Sequence, residues 1–198
     1  INADVLVDGG LITIKRADVT TPGLTTKATG TMQDGDLTLD LTASLPNSAA
    51  PLGGRAGPLT LSANVTGSNG GYQITANGSG QSIGIGNPQI DALFRGETSL
   101  VANVGMAADG TIKINEARLS STAVSASASG TVANGAPDVS FTARLDNIGR
   151  LVDGLSGPLS LDGTAKPGPN GATTLNVTAD GPAGANARIA GDVLMPNG

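Results

Sequence analysis

The sequence predicts an all-β protein: an elongated, curled, antiparallel-rich sheet of the β-taco or incomplete-barrel kind, with one or two short helices. Apolar and polar residues alternate strictly over short segments, as in residues 37–41 and 59–63. This is the pattern of a strand with one buried face. Asn-Gly and Asp-Gly pairs such as 69–70 and 109–110 separate the segments and supply the positive φ of tight hairpins. About a dozen strands, joined mostly as an antiparallel meander, follow from this spacing.

Composition excludes several function classes. The 198 residues include one Tyr, two Phe and no Trp, Cys or His. Without Cys and His the chain lacks a thiolate nucleophile, the commonest general base and the commonest transition-metal ligand. The net charge of −5 comes without a basic run, which argues against nucleic acid as a partner. No apolar run approaches the ~20 residues of a membrane-spanning helix, and the sequence is expected to be part of a longer chain.

One unit of about 100 residues occurs twice, approximately at 1–99 and 100–198, within one continuous β-groove fragment. Residues 12–31 align with 112–131, and "GPLTL" at 57–61 aligns with "GPLSL" at 157–161. Between these segments, residues 36–39 align with 138–141 after a two-residue shift. We therefore expect a stacked array in which each unit covers the edge of its neighbour.

Two short helices are expected to interrupt the strands. "NPQIDALFRG" has Asn87 as N-cap, Pro88 in the first turn and Gly96 as the stop. Residues 146–158 form a weaker candidate, because Gly149 lies inside it. Both segments are rich in bulky apolar residues, so we expect them to cover the ends of the sheet.

Three motifs are interpreted as structural. The G-x-S-x-G motif at 80–84 lacks the His that a nucleophile elbow needs and is interpreted as a glycine-containing strand. Asp34, Asp36 and Asp40 are assigned to a hairpin rather than to calcium. The glycines within 78–86 indicate a loose edge strand or a bulge rather than a phosphate loop. We predict no enzymatic activity, no catalytic residues, no metal and no cofactor.

The inward-facing residues are often small, for example Ala63, Ala126 and Ala128. Such a face under-fills a sandwich and leaves an apolar strip that could hold a long, thin guest such as a lipid acyl chain. The alternative is an ordinary core, closed by the two halves of the sheet folding together. The residues predicted to line the groove are Ile12, Ile14, Leu37, Leu39, Leu41, Leu59, Leu61, Ile74, Val104, Ile112, Ile114, Val124, Ala126, Ala128, Val139, Phe141, Leu159, Leu161, Leu175 and Val177.

Residues 90–132 and 145–165 resemble the repeated β-rich region of the TamB family, which is related to AsmA-like proteins. The two share the same order of elements along the chain: a short apolar helix ending in Gly, a strand, Asp-Gly, a strand, a strand of small residues and Gly. The resemblance implies a segment of an inner-membrane-anchored protein that spans the periplasm of a Gram-negative bacterium. It also implies phospholipid transport between the two membranes, and outer-membrane protein assembly with a TamA-like barrel partner that binds through parts outside this sequence.

Two other functions are left open by the residues. A chaperone-like module could bind strands of outer-membrane proteins or autotransporters by pairing at the sheet edges. A passive structural β-repeat of a surface protein would bind no ligand and would have a tightly filled interior.

Overall fold

The structure, a computed structural model, describes residues 1–49 and 56–193. These residues form one antiparallel sheet of thirteen strands, each paired with its neighbours in the chain. The predicted all-β, antiparallel meander with short helices is therefore confirmed. The strands are β1 (Asn2–Asp8), β2 (Leu11–Thr21), β3 (Leu24–Gln33), β4 (Asp36–Leu45), β5 (Leu59–Ser68), β6 (Gly71–Gln81), β7 (Glu97–Met106), β8 (Ile112–Ser121), β9 (Val124–Ala133), β10 (Ala136–Leu145), β11 (Leu159–Pro167), β12 (Thr173–Asp180) and β13 (Asn186–Val193).

The two ends of the strands carry different connections. On one end, which we call the turn side, hairpins close through two residues with positive φ, such as Asp34-Gly35 and Asn134-Gly135. On the other end, which we call the loop side, the longer connections 82–96 and 146–158 lie. Since the strands alternate in direction, every second connection falls on the same side, and the connections 82–96 and 146–158 therefore share the loop side.

The first predicted helix is present and the second is reduced to a single turn. Helix α1 (Pro88–Asp91) continues into a 3-10 turn, Ala92–Phe94, and the Asn87 side chain accepts hydrogen bonds from the first-turn backbone N–H groups, as predicted. In residues 146–158 only Ile148–Arg150 form a 3-10 turn. Glycines at 149 and 154, the latter with φ +82, stop the helix because they favour non-helical backbone.

A β-bulge recurs at the same place in both repeats. In β2, Lys15 and Arg16 together oppose one residue of β3, and in β8, Asn115 and Glu116 oppose one residue of β9. A bulge bends a strand and increases its twist, so the two halves of the sheet turn at equivalent positions.

The strand register shows that the predicted two-residue shift between the repeats is wrong. Leu39 pairs with Gly30, and Val139 pairs with Gly130. The offset of the aligned units is thus the same in β4 and β10 as in the preceding hairpin strands. The Asp-Leu and Asp-Val pairs that suggest a shift occupy different positions in their hairpins.

Gly78 and Gly80 lie in β6, an interior strand paired without a register shift with both β5 and β7, so the prediction of a loose edge strand or a bulge is wrong for them. A Cβ at Gly78 would lie 2.7 Å from Leu61 Cδ2, so this glycine makes room for a large neighbour. Gly80 belongs to the strand, which ends at Gln81. Ser82 then has φ +49, and its Oγ accepts a hydrogen bond from the Gly96 N–H at 3.1 Å.

The sheet has no conventional core. The buried apolar residues Ala49, Ala123, Leu145 and Ala172 lie at or beyond strand ends. In the middle of the sheet, Leu41 and Ile74 are both 36% exposed. The predicted alternative of a core closed by the two halves is therefore not what the described residues form. Within those residues, no helix is long and apolar enough to span a bilayer.

Candidate functional site

One face of the sheet is apolar across all thirteen strands. Paired residues on neighbouring strands project to the same side, so the register groups the side chains into rows that run across the strands. We name five rows on this face by one member each, from the turn side to the loop side: the Tyr72, Leu39, Ala63, Leu61 and Leu59 rows.

The rows are defined by direct strand pairing. The Tyr72 row contains Val7, Ile12, Met32, Leu37, Gly67, Tyr72, Met106, Ile112 and Val132. The Leu39 row contains Val5, Ile14, Gly30, Leu39, Val65, Ile74, Val104, Ile114, Gly130, Val139, Ala165, Leu175 and Gly191. The Ala63 row contains Ala3, Ala17, Ala28, Leu41, Ala63, Ala76, Ala102, Ala117, Ala128, Phe141, Gly163, Val177 and Ile189. The Leu61 row contains Val19, Thr26, Ala43, Leu61, Gly78, Leu100, Leu119, Ala126, Ala143, Leu161, Ala179 and Ala187. The Leu59 row contains Leu45, Leu59, Gly80, Thr98, Ser121, Val124, Leu145 and Leu159.

The structure places every residue predicted to line a groove in one of these rows, on the same face. Sequence reasoning missed other members, among them Val65, Leu100, Leu119 and the two methionines Met32 and Met106. The same alternation would have found Val65, Leu100 and Leu119, which lie in strands whose other apolar residues it identified.

Eight of the thirteen members of the Ala63 row are alanines, and its large members are Leu41, Phe141, Val177 and Ile189. Ala63, Ala102 and Ala117 each lie between a branched residue of the Leu39 row and a leucine of the Leu61 row. A hollow of about 280 Å³ lies on this part of the face, lined by Leu100, Leu119 and Phe141 together with alanines of β8–β10. Phe141 fills the row where Gly163 leaves space, because a Cβ at Gly163 would overlap its ring.

The opposite face is polar and hydrogen-bonded across the strands. Asn64 Nδ2 donates to Asp40 Oδ1 at 2.9 Å, and Gln73 Nε2 donates to Asn103 Oδ1 at 2.6 Å. Two shallow hollows of about 410 and 530 Å³ lie on this polar face near Arg118. The apolar rows form an open surface rather than an enclosed channel, because Leu41, Ile74 and Leu100 in the central rows stay 36–37% exposed.

Charged groups lie outside the apolar rows. At the two bulges, Arg16 pairs with Asp18, and Glu116 pairs with Arg118 at 2.9 Å, with the signs reversed between the repeats. Among the described residues, the Tyr72, Leu39, Ala63 and Leu61 rows contain no Asp, Glu, Lys or Arg side chain. A guest on this face therefore meets no fixed side-chain charge in these rows.

Ionisable groups with a resolved pKa shift lie in connections. On the turn side, hydrogen bonds from the backbone N–H and the side chain of Thr111 lower the pKa of Asp109. On the loop side, Arg150 Nε and Nη2 donate to the Asp146 carboxylate at 3.0 and 3.1 Å. This bidentate hydrogen bonding lowers the pKa of Asp146 and raises that of Arg150. Across residues 1–49 and 56–193, no three potential ligands among His, Cys, Asp and Glu come together to hold a metal ion.

No protein-family profile, curated protein or solved structure matches this chain. The resemblance to the TamB family therefore stays a prediction made from the residues.

Proposed function

We propose that this chain is a segment of an extended apolar trough that shields lipid acyl chains during phospholipid transport through the periplasm. The observation that carries the proposal is a thirteen-stranded sheet over whose central apolar rows residues 1–49 and 56–193 place no second layer. An exposed apolar surface this extensive is typical of an interaction site. In accord with the TamB resemblance, the segment would belong to an inner-membrane-anchored protein that also acts in outer-membrane protein assembly.

The chemistry of the rows favours an acyl chain over a peptide as the guest. A peptide brings backbone N–H and C=O groups that need partners when buried, and the four charge-free rows supply almost no polar side chains. An acyl chain needs no hydrogen bonds and gains about 0.8 kcal/mol for each buried CH₂. Because the hydrophobic effect has no direction, a chain could slide along the rows at small cost.

The dimensions also suit a guest that moves. Strands lie about 4.8 Å apart, so the Leu39 and Ala63 rows, which cross all thirteen strands, run for about 58 Å. One leaflet contributes about half of the ~30 Å hydrocarbon core of a bilayer, so an acyl chain covers only part of a row. More than one lipid could therefore occupy the face in sequence.

The experiment is site-specific photo-crosslinking in cells at positions on both faces of the same strands. The test positions are Leu39, Leu61, Ile114 and Leu161, and the matched controls on the polar face are Thr38, Ser62, Lys113 and Asp162. We expect lipid adducts from the test positions and none from the controls. Crosslinks only to a second copy of the chain, or equal lipid labelling from both faces, would retire the proposal.

A charge substitution supplies a second readout. Leu61→Asp should remove co-purified phospholipid detected by native mass spectrometry, because a carboxylate in the row must lose its hydration when a chain binds. Ser62→Asp, on the other face of the same strand, should leave lipid occupancy unchanged. Circular dichroism of both variants separates lost binding from lost folding.

The second candidate is the chaperone-like strand-binding module. The observation in its favour is that, among the described residues, β1 and β13 each pair on one side only, so two strand edges present free backbone groups. The Gly181 N–H donates to the Ala185 carbonyl, so in the ladder that follows the N–H of Ala190 faces away from β12. Ala190→Pro would remove this donor and should abolish strand capture without changing lipid occupancy. If Ala190→Pro abolishes capture of an unfolded outer-membrane strand while Leu61→Asp does not, the edge is the functional surface.

A further inference from the structure

The two long sides of the apolar face differ in cover. On the loop side, the segment after β6 crosses back over the face. Ser121 Oγ in the Leu59 row donates to the Leu93 carbonyl at 2.7 Å, and a Cβ at Gly80 would overlap the Ile83 side chain. Thr98, which pairs with both Gly80 and Ser121 in this row, is only 3% exposed.

The turn side carries no such cover over most of its length. Four of the turn-side connections have two residues, which is too short to fold back over the sheet, and the others, 107–111 and 168–172, have five. In the Tyr72 row, Met32, Tyr72 and Met106 are 48%, 38% and 39% exposed. The exception is the connection between β11 and β12, where Ala172 and Thr173 are buried.

The residues on this open side have distinctive chemistry. The chain's single tyrosine and two of its three methionines share the Tyr72 row. Methionine is flexible and polarisable, which suits contact with guests of variable shape. Tyrosine has an apolar ring and a polar tip, which suits a boundary between an apolar surface and water.

The Tyr72 ring lies beside a glycine. A Cβ at Gly67 would lie 2.6 Å from Tyr72 Cδ1, so the glycine leaves the space that the ring occupies. Because Tyr72 belongs to the row nearest the turn side, its ring and its hydroxyl lie at the margin of the apolar face.

We propose that the Tyr72 row is the open edge of the trough, which we call the lip. A lipid enters the trough sideways across this row and keeps its headgroup on the turn side. This inference rests on the proposed function. A polar headgroup finds no polar side chain to bind in the Leu39 or Ala63 row, and on the loop side of β6–β8 residues 82–96 cover the face. The acyl chain of the lipid therefore lies against the side chains of the central rows, and its headgroup lies on the turn side of Tyr72.

Tyr72 is itself the probe for this orientation, because the chain contains no other Tyr and no Trp. The experiment measures Tyr72 fluorescence in the intact protein loaded with phosphatidylcholine that carries a nitroxide either on the headgroup or near the end of an acyl chain. Nitroxides quench over short distances, so we expect the headgroup label to quench Tyr72 at least about twofold more than the chain-end label.

Native mass spectrometry of the same samples separates the possible failures. If lipid is bound and the chain-end label quenches Tyr72 equally or more, the lip assignment is wrong while the trough stands. If no lipid mass is found and neither label quenches, the trough itself is wrong, and the lip with it.

A kinetic test uses a charge placed on the lip. Met106→Glu should slow lipid uptake from vesicles of phosphatidylethanolamine and phosphatidylglycerol by about tenfold, because a passing chain would have to desolvate the carboxylate. The matched control is Gln73→Glu, next to Tyr72 in sequence but on the polar face, which should change the rate by less than about twofold. Equal rates for Met106→Glu and the unaltered protein would overturn the inference.

Discussion

The register of the two repeats can be tested by adding one methyl group at equivalent glycines. Gly30 and Gly130 each oppose a residue of the following strand, Leu39 and Val139, at the bulge. A Cβ at Gly30 would overlap the Thr38 carbonyl oxygen, and a Cβ at Gly130 would overlap that of Asp138. Backbone atoms cannot move aside as a flexible side chain can, so the paired strands must separate locally.

The magnitude follows from these overlaps. Overpacking of this kind costs about 1–3 kcal/mol, so Gly30→Ala should lower the free energy of unfolding by about 2 kcal/mol. Gly130 has φ +144 in addition, a conformation that costs a residue with a side chain about 1–3 kcal/mol more. Gly130→Ala should therefore be the more destabilising of the two. For a chain of this size, about 2 kcal/mol corresponds to a fall in Tm of about 4–8 °C.

The assay is urea or thermal unfolding followed by circular dichroism, with Gly191→Ala as the matched control. Gly191 lies in the same Leu39 row, and a Cβ there would meet no atom within 4 Å. Its replacement should be neutral or stabilise the protein by about 0.4–1 kcal/mol through the unfolded state. If Gly30→Ala and Gly130→Ala are as stable as Gly191→Ala, the bulge register and the equivalence of the repeats are wrong.

Three further predictions concern single polar groups. Thr98→Val should raise the free energy of unfolding by about 1 kcal/mol in chemical denaturation, because Thr98 Oγ1 is buried without a hydrogen-bond partner in the described part of the chain. Thr174→Val should lower it instead, since Thr174 Oγ1 donates to Asp192 at 2.6 Å. For Asp109, hydrogen bonds from Thr111 lower the pKa below the ordinary value of 3.8, so this interaction is present above that value and is lost as the pH falls through the lowered pKa. The amide shift of Thr111 in an NMR pH titration should therefore move with a midpoint below 3.8; a midpoint at or above 3.8 would contradict the assigned hydrogen bond.

Much of the fold is predictable from the sequence because it depends on local signals. Strict alternation assigns each residue of β4 or β5 to a face, and a two-residue turn with Gly fixes the next strand's register. The cap of α1 is equally local, since Asn87 bonds to backbone groups two and three residues ahead. These signals explain why the predicted lining residues fall on one face.

The rest depends on contacts that alternation does not encode. The bulge at Lys15 and Arg16 changes the parity of β2, and its only sequence signal is the three-residue spacing from Ile14 to Ala17. The folding of residues 82–96 over the apolar face rests on long-range bonds such as Ser121 to Leu93. Periodicity cannot predict which face such a connection covers, so the closed loop side and the open turn side emerge only from the structure.

Alanine in the Ala63 row suits an apolar face that is exposed to water when it is empty and covered when a guest binds. Each exposed apolar side chain costs free energy in proportion to its area, about 25 cal/mol per Å², so a row of leucines would favour self-association of the empty protein. Alanine lowers that cost and leaves space into which a chain can settle between the larger side chains of the Leu39 and Leu61 rows. A guest then contacts the walls on both sides, and its own methylenes supply most of the apolar area that is removed from water. The small residues thus weaken the association of one sheet with another more than they weaken binding of a thin guest. The proposed lipid trough, which is open along one side, requires this difference.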